Sequence, residues 1–518
     1  MPIFGRRVTG GKLVKSGIPA SYLDSMSKKL EERNYIDSSL YPKYNVKRGL
    51  RNANGTGVIV GLTKIGEVIG YKKDEDGNKI PLEGKLYYRG YDVEDLVESY
   101  IREKRFGFEE VTYLLLFGEL PTQKKLDEFK SFISEKRELP PGFARDMILT
   151  APSRNIMNKL SRSVLALYCY DENPDDISPA NVLRQSIDLI GYFPALVAYG
   201  YQAKQSFFEN ASMHLHYPIP ELSTAENILR MLRPTGEFTD LEAKTLDLSL
   251  ILHAEHGGGN NSSFTTHLVS SSGTDTYATI AAAIGSLKGP RHGGANIAVL
   301  HMVEDLKKNV KDINNRKEVD NYLIKVLRGQ ANDGSGLIYG IGHAIYTLSD
   351  PRAVLLKRMA KELAATKDLV DDFMLCDYIE KRAPELYAEV KGEKKPMCAN
   401  VDLYSGFVYN ALDIPIDIAT PLFATARLSG WSAHRIEELI AGKKLMRPAY
   451  VNVQEHVDYV PISERHDKDA IKKDRDAVRE TIKRNKEAAR IARDTSKLEK
   501  AKIREALKNS KNDPKNNH

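Results

Sequence analysis

Residues 276–306 read TYATIAAAIGSLKGPRHGGANIAVLHMVEDL. Both flanks carry apolar residues at three- and four-residue spacing, the pattern of helices with a buried face. The middle, Gly289-Pro290-Arg291-His292-Gly293-Gly294, breaks that pattern. Pro290 has no amide hydrogen to give to a helix, and glycine pays the largest backbone entropy of any residue. Two helices therefore meet at a break that carries a histidine. With a helix beginning just after it, the His292 ring lies near that helix's positive end, where the dipole disfavours imidazolium. A neutral imidazole can donate a hydrogen bond to a carbonyl that is becoming an enolate.

The helical period dominates from Val93 to about Ile440. EEVTYLLLFGEL, SRNIMNKLSRSVLALYCY, ANVLRQSIDLIGYFPALVAYGYQ, TAENILRMLR and DLEAKTLDLSLILHAEH all show it. Several runs are apolar nearly all round, as helices inside a large body are. Strands and helices do not alternate, which argues against a parallel sheet. Residues 55–90 differ: rich in Val, Ile, Tyr and Gly, with turn signals at Asp76-Gly77 and Glu83-Gly84, they predict short strands. Gly55-Thr56-Gly57 lacks the third glycine and the following helix of a dinucleotide loop. The expected fold class is all-α, predominantly, with a short N-terminal β segment after a polar arm over residues 1–50.

Composition narrows the function. With 42% hydrophobic and 28% charged residues, the chain reads as soluble and globular. No apolar run approaches the ~20 residues that span a bilayer, so no membrane partner is expected. The first residues, MPIFGRRVTGGKLVKSG, lack the apolar stretch of a secretory signal. Cys169, Cys376 and Cys398 have neither metal-ligand spacing nor the numbers for a disulfide framework, which points to a reducing, cytoplasmic setting. The net charge of +6 resides in the C-terminus. Residues 464–518 hold 18 Lys and Arg against 11 Asp and Glu, which leaves the rest of the chain near −1. The body is therefore not a nucleic-acid binder by charge. The tail has a helix-forming composition in which Ile471, Val478 and Ile482 start a seam that no heptad continues, so a solvated helix or disordered extension is expected.

Four segments place polar residues on helix breaks. In LSLILHAEHGGGNNSSFTTH (248–267), His253 and His256 end an apolar helix that three glycines terminate. Their spacing is not that of HExxH, and no metal is expected there; a histidine donating to a substrate oxygen fits better. The second segment is the His292 break. In the third, GSGLIYGIGHAIYTLSDPRAVLLKRMAKEL (334–363), Gly340 and Gly342 allow close backbone approach around His343. Ser349-Asp350-Pro351 is a helix start, with Arg352 in its first turn, a position that is unfavourable for a cation unless an anion sits beside it. In the fourth, KKPMCANVDLYSGFVYNAL (394–412), Asp402 is either an N-cap or a general base. Downstream lie Phe423 and Arg427 in LFATARLSGW and Arg447 in KLMRPAY. Arginines pair with carboxylates in bidentate fashion, so three of them suggest a di- or tricarboxylate ligand.

Taken in order, YRGYDVEDLV, EEVTYLLLFGELP, LSTAENILRML, HAEHGGGNNS, GPRHGGAN, GIGHAIYTLSDPR, NVDLYSG, FATARLSGW and RPAY resemble the citrate synthase family, including its bacterial citrate/2-methylcitrate branch, over about residues 50–460. The resemblance implies an acyltransferase that converts the acyl group into an alkyl group on transfer (Si-type), condensing acetyl-CoA with oxaloacetate and water. It gives citrate and CoA, and no cofactor is expected because the CoA thioester is a substrate. It implies that Asp402 takes a proton from the methyl group, that His292 stabilises the thioester oxygen, and that His343 holds and protonates the keto oxygen. His256, Arg352, Arg427 and Arg447 would bind oxaloacetate, Arg447 across the interface of a homodimer. The implied fold has two helical domains around a cleft. The large domain is 51–294 plus 413–463, the small domain on the CoA side is 295–412, and 464–518 is a charged extension outside the family pattern.

The chain departs from that pattern in two places. Relatives often carry Arg or Lys just after the third-segment histidine, near the CoA phosphates, whereas Ala344 to Thr347 are uncharged, which leaves Lys394, Lys395 and Asn400 as candidates for CoA. The glutamate usual after the first-segment histidine is Gly257. The alternatives are a 2-methylcitrate synthase using propionyl-CoA, which one methylene in a pocket separates by only ~1–3 kcal/mol, and a non-catalytic ligand-binding paralogue, against which Asp402 and the two catalytic histidines argue.

Overall fold

The structure, a computed structural model, describes residues 19–510 apart from 53, 76–77, 393–395 and 466–467. The chain divides into two compact units, Met1–Pro448 and Ala449–His518. The first is predominantly helical, as the periodicity requires. Helix starts fall where the sequence offers a capping side chain. Ser223 and Thr239 each close a capping box with a glutamate three residues on, and Asp350 caps a helix that has Pro351 in its first turn.

The strand-rich stretch forms an antiparallel sheet of β1 (Gly66–Lys73), β2 (Lys79–Tyr88) and β3 (Tyr91–Asp92) in that order. The turn signal at Asp76-Gly77 lies outside the described residues. The one at Glu83-Gly84 is not a turn: both residues are inside β2. Glycine stands there because another chain segment passes close by. Gly84 N donates to Ser349 Oγ at 3.0 Å, and a Cβ on Gly84 would run into Ser349, Tyr346 and Pro351. Gly70, where the β1–β2 register shifts, meets the backbone of Ile345 and Tyr346 in the same way. The hairpin therefore braces the loop that carries His343.

One large apolar core runs through the helices of the first unit. The helix Ile416–Glu437 is buried almost all round, with Trp431 fully enclosed, and packs on Phe108–Phe117, Pro179–Phe208 and Asp240–His253. A second cluster is separate. Met302, Leu306, Val319, Leu323, Leu375 and Ile379 join the helices Ala295–Asn309, Arg316–Leu327 and Val370–Lys391. The helices Pro351–Thr366 and Val401–Ala411 send their buried residues into the large core.

In the second unit the tail is one helix, Lys468–Ser510, on which Val478, Ile482, Ile491, Leu498 and Ile503 are all exposed. Among the described residues, no helix is long and apolar enough to cross a membrane.

Candidate functional site

The helix Asp240–His253 ends under the large core and delivers His253 and His256 to a buried position. Both His253 ring nitrogens, and His256 Nε2, have no hydrogen-bond partner among the described residues. A buried polar atom left unpaired costs ~1–3 kcal/mol, so three within four residues at this helix end mark a place built for something else to bind. Arg427 adds to them. It is fully buried, its Nε donates to the His253 carbonyl at 2.7 Å, and Nη1 and Nη2 have no hydrogen-bond partner among the described residues. Its guanidinium lies over the Phe423 ring, 4.7 Å from the centroid, and that ring also packs on His253. Burial, eased by Glu255, brings the Arg427 pKa down to about 10, so the side chain stays charged at neutral pH.

The glycine loop brings His343 against this group. Its ring lies edge-on to His256 at 5.3 Å and stacks on Tyr346 at 4.7 Å. His343 Nδ1 accepts from the amides of Ile345 and Tyr346, each at 3.1 Å. Backbone amides can only donate, so Nδ1 is bare and the neutral ring carries its proton on Nε2. Burial first, then the charge of Arg352, push the pKa of His343 down to about 4. Gly340, at φ +84°, fits because a Cβ there would meet Leu403.

Arg352 does sit in the first turn of its helix, and the anion beside it is Asp350. The two pair in bidentate fashion, Nε to Oδ1 at 3.0 Å and Nη2 to Oδ2 at 2.7 Å, both buried. The helix-start argument for an anionic ligand is therefore answered within the chain, and Arg352 offers a ligand only Nη1, which takes no part in that pairing. Asp402 is not an N-cap: Asn400 holds that place and accepts from the Asp402 amide at 3.0 Å. The Asp402 carboxylate accepts no hydrogen bond among the described residues. Burial raises its pKa to about 6 against the pull of Arg352.

His292 lies in the turn before the helix Ala295–Asn309, whose N-cap is Gly294. Its pKa falls to about 4, through burial first and Arg427 second, so burial does the work the sequence assigned to the helix dipole. Its Nε2 is 3.0 Å from Ser262 Oγ, which accepts from Trp431 Nε1 at 3.2 Å and donates to Asn260 Oδ1 at 2.9 Å. Ser262, Trp431 and Asn260 are parts of the site that sequence reasoning missed. Their signal was present in NNSS and SGW, but a serine and a buried tryptophan carry no mark of their partner.

Arg352 and Arg427 tie the constellation together. Arg427 acts electrostatically on His253, His256 and His292, and Arg352 on His253, His256, His343 and Asp402. Two expected residues, Arg447 and Asn400, are not drawn in. Arg447 is exposed, with no hydrogen bond or ion pair among the described residues. Lys394 and Lys395 lie outside the described residues. Asn400 uses its amide within the chain, Nδ2 donating to the Gly342 carbonyl at 2.9 Å.

The chain is similar to known citrate synthases and 2-methylcitrate synthases. The family model described as "Citrate synthase, C-terminal domain" matches residues 52–449. The citrate synthase of Synechocystis sp. is 36% identical over 385 residues, covering 74% of this chain and 89% of the relative. The 2-methylcitrate synthase of Shewanella oneidensis is 31% identical over 73% of this chain and 90% of its own length. Among solved structures, the ternary complex of carboxymethyl coenzyme A and oxaloacetate with citrate synthase from Thermoplasma acidophilum superposes with a TM-score of 0.66 at 26% identity, covering 81% of this chain and 99% of that one.

Proposed function

The chain belongs to the citrate synthase family, and we propose that its site condenses the methyl carbon of acetyl-CoA with the keto carbon of oxaloacetate. The observation that carries this reading is the set of buried polar atoms without a partner among the described residues, the donors Arg427 Nη1 and Nη2 and the ring nitrogen His256 Nε2, beside a carboxylate whose pKa is raised to about 6. The donors fit a carboxylate and a keto oxygen, and the carboxylate fits a base.

Asp402 removes a proton from the methyl group as His292 donates to the thioester oxygen. That step requires the Ser262 hydroxyl to turn its single proton from Asn260 Oδ1 to His292 Nε2, which leaves the ring's proton on Nδ1 for the substrate. The enol carbon attacks the keto carbon of oxaloacetate, and His343 Nε2 passes its proton to the new alkoxide. Water then cleaves the thioester of citryl-CoA, releasing citrate and CoA. Donors set in advance at the developing oxyanion are each worth ~10²–10³ in rate. The segment 295–412, with its second apolar cluster, is the small domain whose rotation shuts water out. No metal or organic cofactor enters these steps. The working unit is a cytoplasmic homodimer in which Arg447 reaches the neighbouring site; neither nucleic acid nor membrane is a partner.

Relatives named 2-methylcitrate synthase at 31–32% identity support a second reading with propionyl-CoA. Release of CoA thiol measures both. Thiol should appear with acetyl-CoA only when oxaloacetate is present, and faster than with propionyl-CoA. A reversed preference transfers the chain to the second reading, and no release with either refutes both.

A further inference from the structure

Beneath the loop His256–Asn260 lies a line of four buried side chains outside the proposed chemistry. His434 Nε2 is 3.0 Å from Glu255 Oε1, and His267 Nδ1 is 2.8 Å from Glu438 Oε2. His434 and Glu255 are fully buried, and His267 and Glu438 nearly so. Carboxylates accept, so each of these outer ring nitrogens carries a proton. A neutral imidazole has only one. The inner nitrogens, His267 Nε2 and His434 Nδ1, are therefore both bare, and they face each other at 3.0 Å. A third acceptor joins them. Glu437 lies one turn from His434 on the same helix, and its Oε2, 3.9 Å from His434 Nδ1, is buried without a hydrogen-bond partner among the described residues. These three atoms all lie within 4.8 Å of one another.

Three lone pairs that converge in a buried place call for a cation. A proton shared by the two rings would satisfy the nitrogens and leave Glu437 Oε2 unpaired. A divalent metal satisfies all three. We propose that His267, His434 and Glu437 form a binding site for a first-row transition-metal dication, with zinc the best match. Two imidazoles and a carboxylate are a zinc donor set, with bonds of about 2.0–2.2 Å that these atoms reach by moving tenths of an ångström. Glu255 and Glu438 hold the outer nitrogens as carboxylates do behind metal-bound histidines, which fixes the tautomers. The fourth position faces Gly258. A Cβ there would stand 3.5 Å from His267 Nε2 and 3.8 Å from His434 Nδ1, so glycine keeps that side open. The metal would not touch substrate. Glu255 also accepts from the Gly257 amide, next to His256, so an occupied site would stiffen the loop that presents His256 to oxaloacetate.

The test uses the full chain, stripped with a chelator at pH 8 and titrated with ZnCl₂. Zinc should bind at one per chain and raise the melting temperature by at least about 2 °C. Cobalt(II) should give the visible absorption of a tetrahedral site. Glu437→Gln, nearly isosteric, should weaken zinc at least tenfold. So should Gly258→Ala, which leaves the ligands in place and the fold undisturbed while filling the open side. Zinc should also lower the KM for oxaloacetate with kcat little changed, and that readout alone depends on the proposed reaction. Failure to bind zinc, or equal binding by both variants, overturns the site. Stoichiometric binding with an unchanged KM overturns its link to the His256 loop.

Discussion

Replacing Asp402 with asparagine should cost activity and add stability, and the structure sets both sizes. Burial raises the carboxyl from 3.8 to about 6. The shift is upward, so the folded protein binds this proton more tightly than the unfolded chain does. Below pH 3.8 both states are protonated and the group is neutral in its effect. As pH rises through that value, ionising the half-buried carboxylate begins to cost stability, and the cost is complete above about pH 6. A shift of that size corresponds to about 3 kcal/mol at pH 7.5 and about half that at pH 5. Asp402→Asn keeps the shape and removes the charge, so it should unfold at a higher temperature than the wild type, by a margin that shrinks as the pH is lowered. Its CoA-thiol release should fall by ~10²–10⁴. In the wild type, kcat/KM should drop tenfold per pH unit below about 6. His292 and His343, both near 4, do not titrate in that range. Retention of more than a tenth of turnover would remove Asp402 as the base. Unchanged thermal stability at pH 7.5 would show that its carboxylate is not the strained group described here.

Ser262→Ala should lower kcat by about 10–100-fold with little change in the KM for oxaloacetate, because it frees the His292 ring and leaves the arginines alone; a pure KM effect would contradict the role given to Ser262. Arg427→Lys loses the two-pronged donor and should weaken oxaloacetate by roughly 2–5 kcal/mol, at least about 30-fold by calorimetry, and tight binding by this variant would exclude it as a carboxylate ligand. Deletion of residues 464–518 should leave turnover within about twofold, since the tail helix shows no continuous apolar face for docking; a larger loss would make the tail structural. Arg447→Ala and Asp402→Asn subunits, each nearly inactive alone, should regain activity when co-refolded, because one site of the mixed dimer receives neither defect. Mixed dimers that stay dead would show that Arg447 does not act across the interface.

The all-α architecture was legible because helical periodicity is a local property that long runs repeat. The short sheet was legible from its composition, but its path was not. Gly84 reads as a turn residue until Ser349, 265 positions away, is seen against it. The site histidines and Asp402 stood out because each sits on a helix break in an apolar setting. Arg352 shows the limit of such local reasoning, because its anion is Asp350, two residues back. Ser262, Trp431 and the His267–His434 pair were invisible for a different reason. Their chemistry depends on pairs 30, 169 and 167 residues apart, and neither spacing nor composition records such pairs.

Charge supplies the last step of the argument about Arg447. Within one chain the site holds two guanidiniums, Arg352 and Arg427, and at neutral pH two carboxylates, Asp350 and Asp402. Its four histidines are neutral, because His253, His256, His292 and His343 all have pKa values depressed by burial. With Glu255 beside Arg427 as a further carboxylate, the site carries no net positive charge before a ligand arrives, and oxaloacetate brings two negative charges. Arg352 is already half committed to Asp350, so Arg427 alone would have to balance a dianion in a buried place. Burying an anion without a compensating cation is costly. A third guanidinium would supply that charge, and Arg447, exposed and without a hydrogen bond or ion pair among the described residues, is the arginine that the proposed dimer would bring to this place.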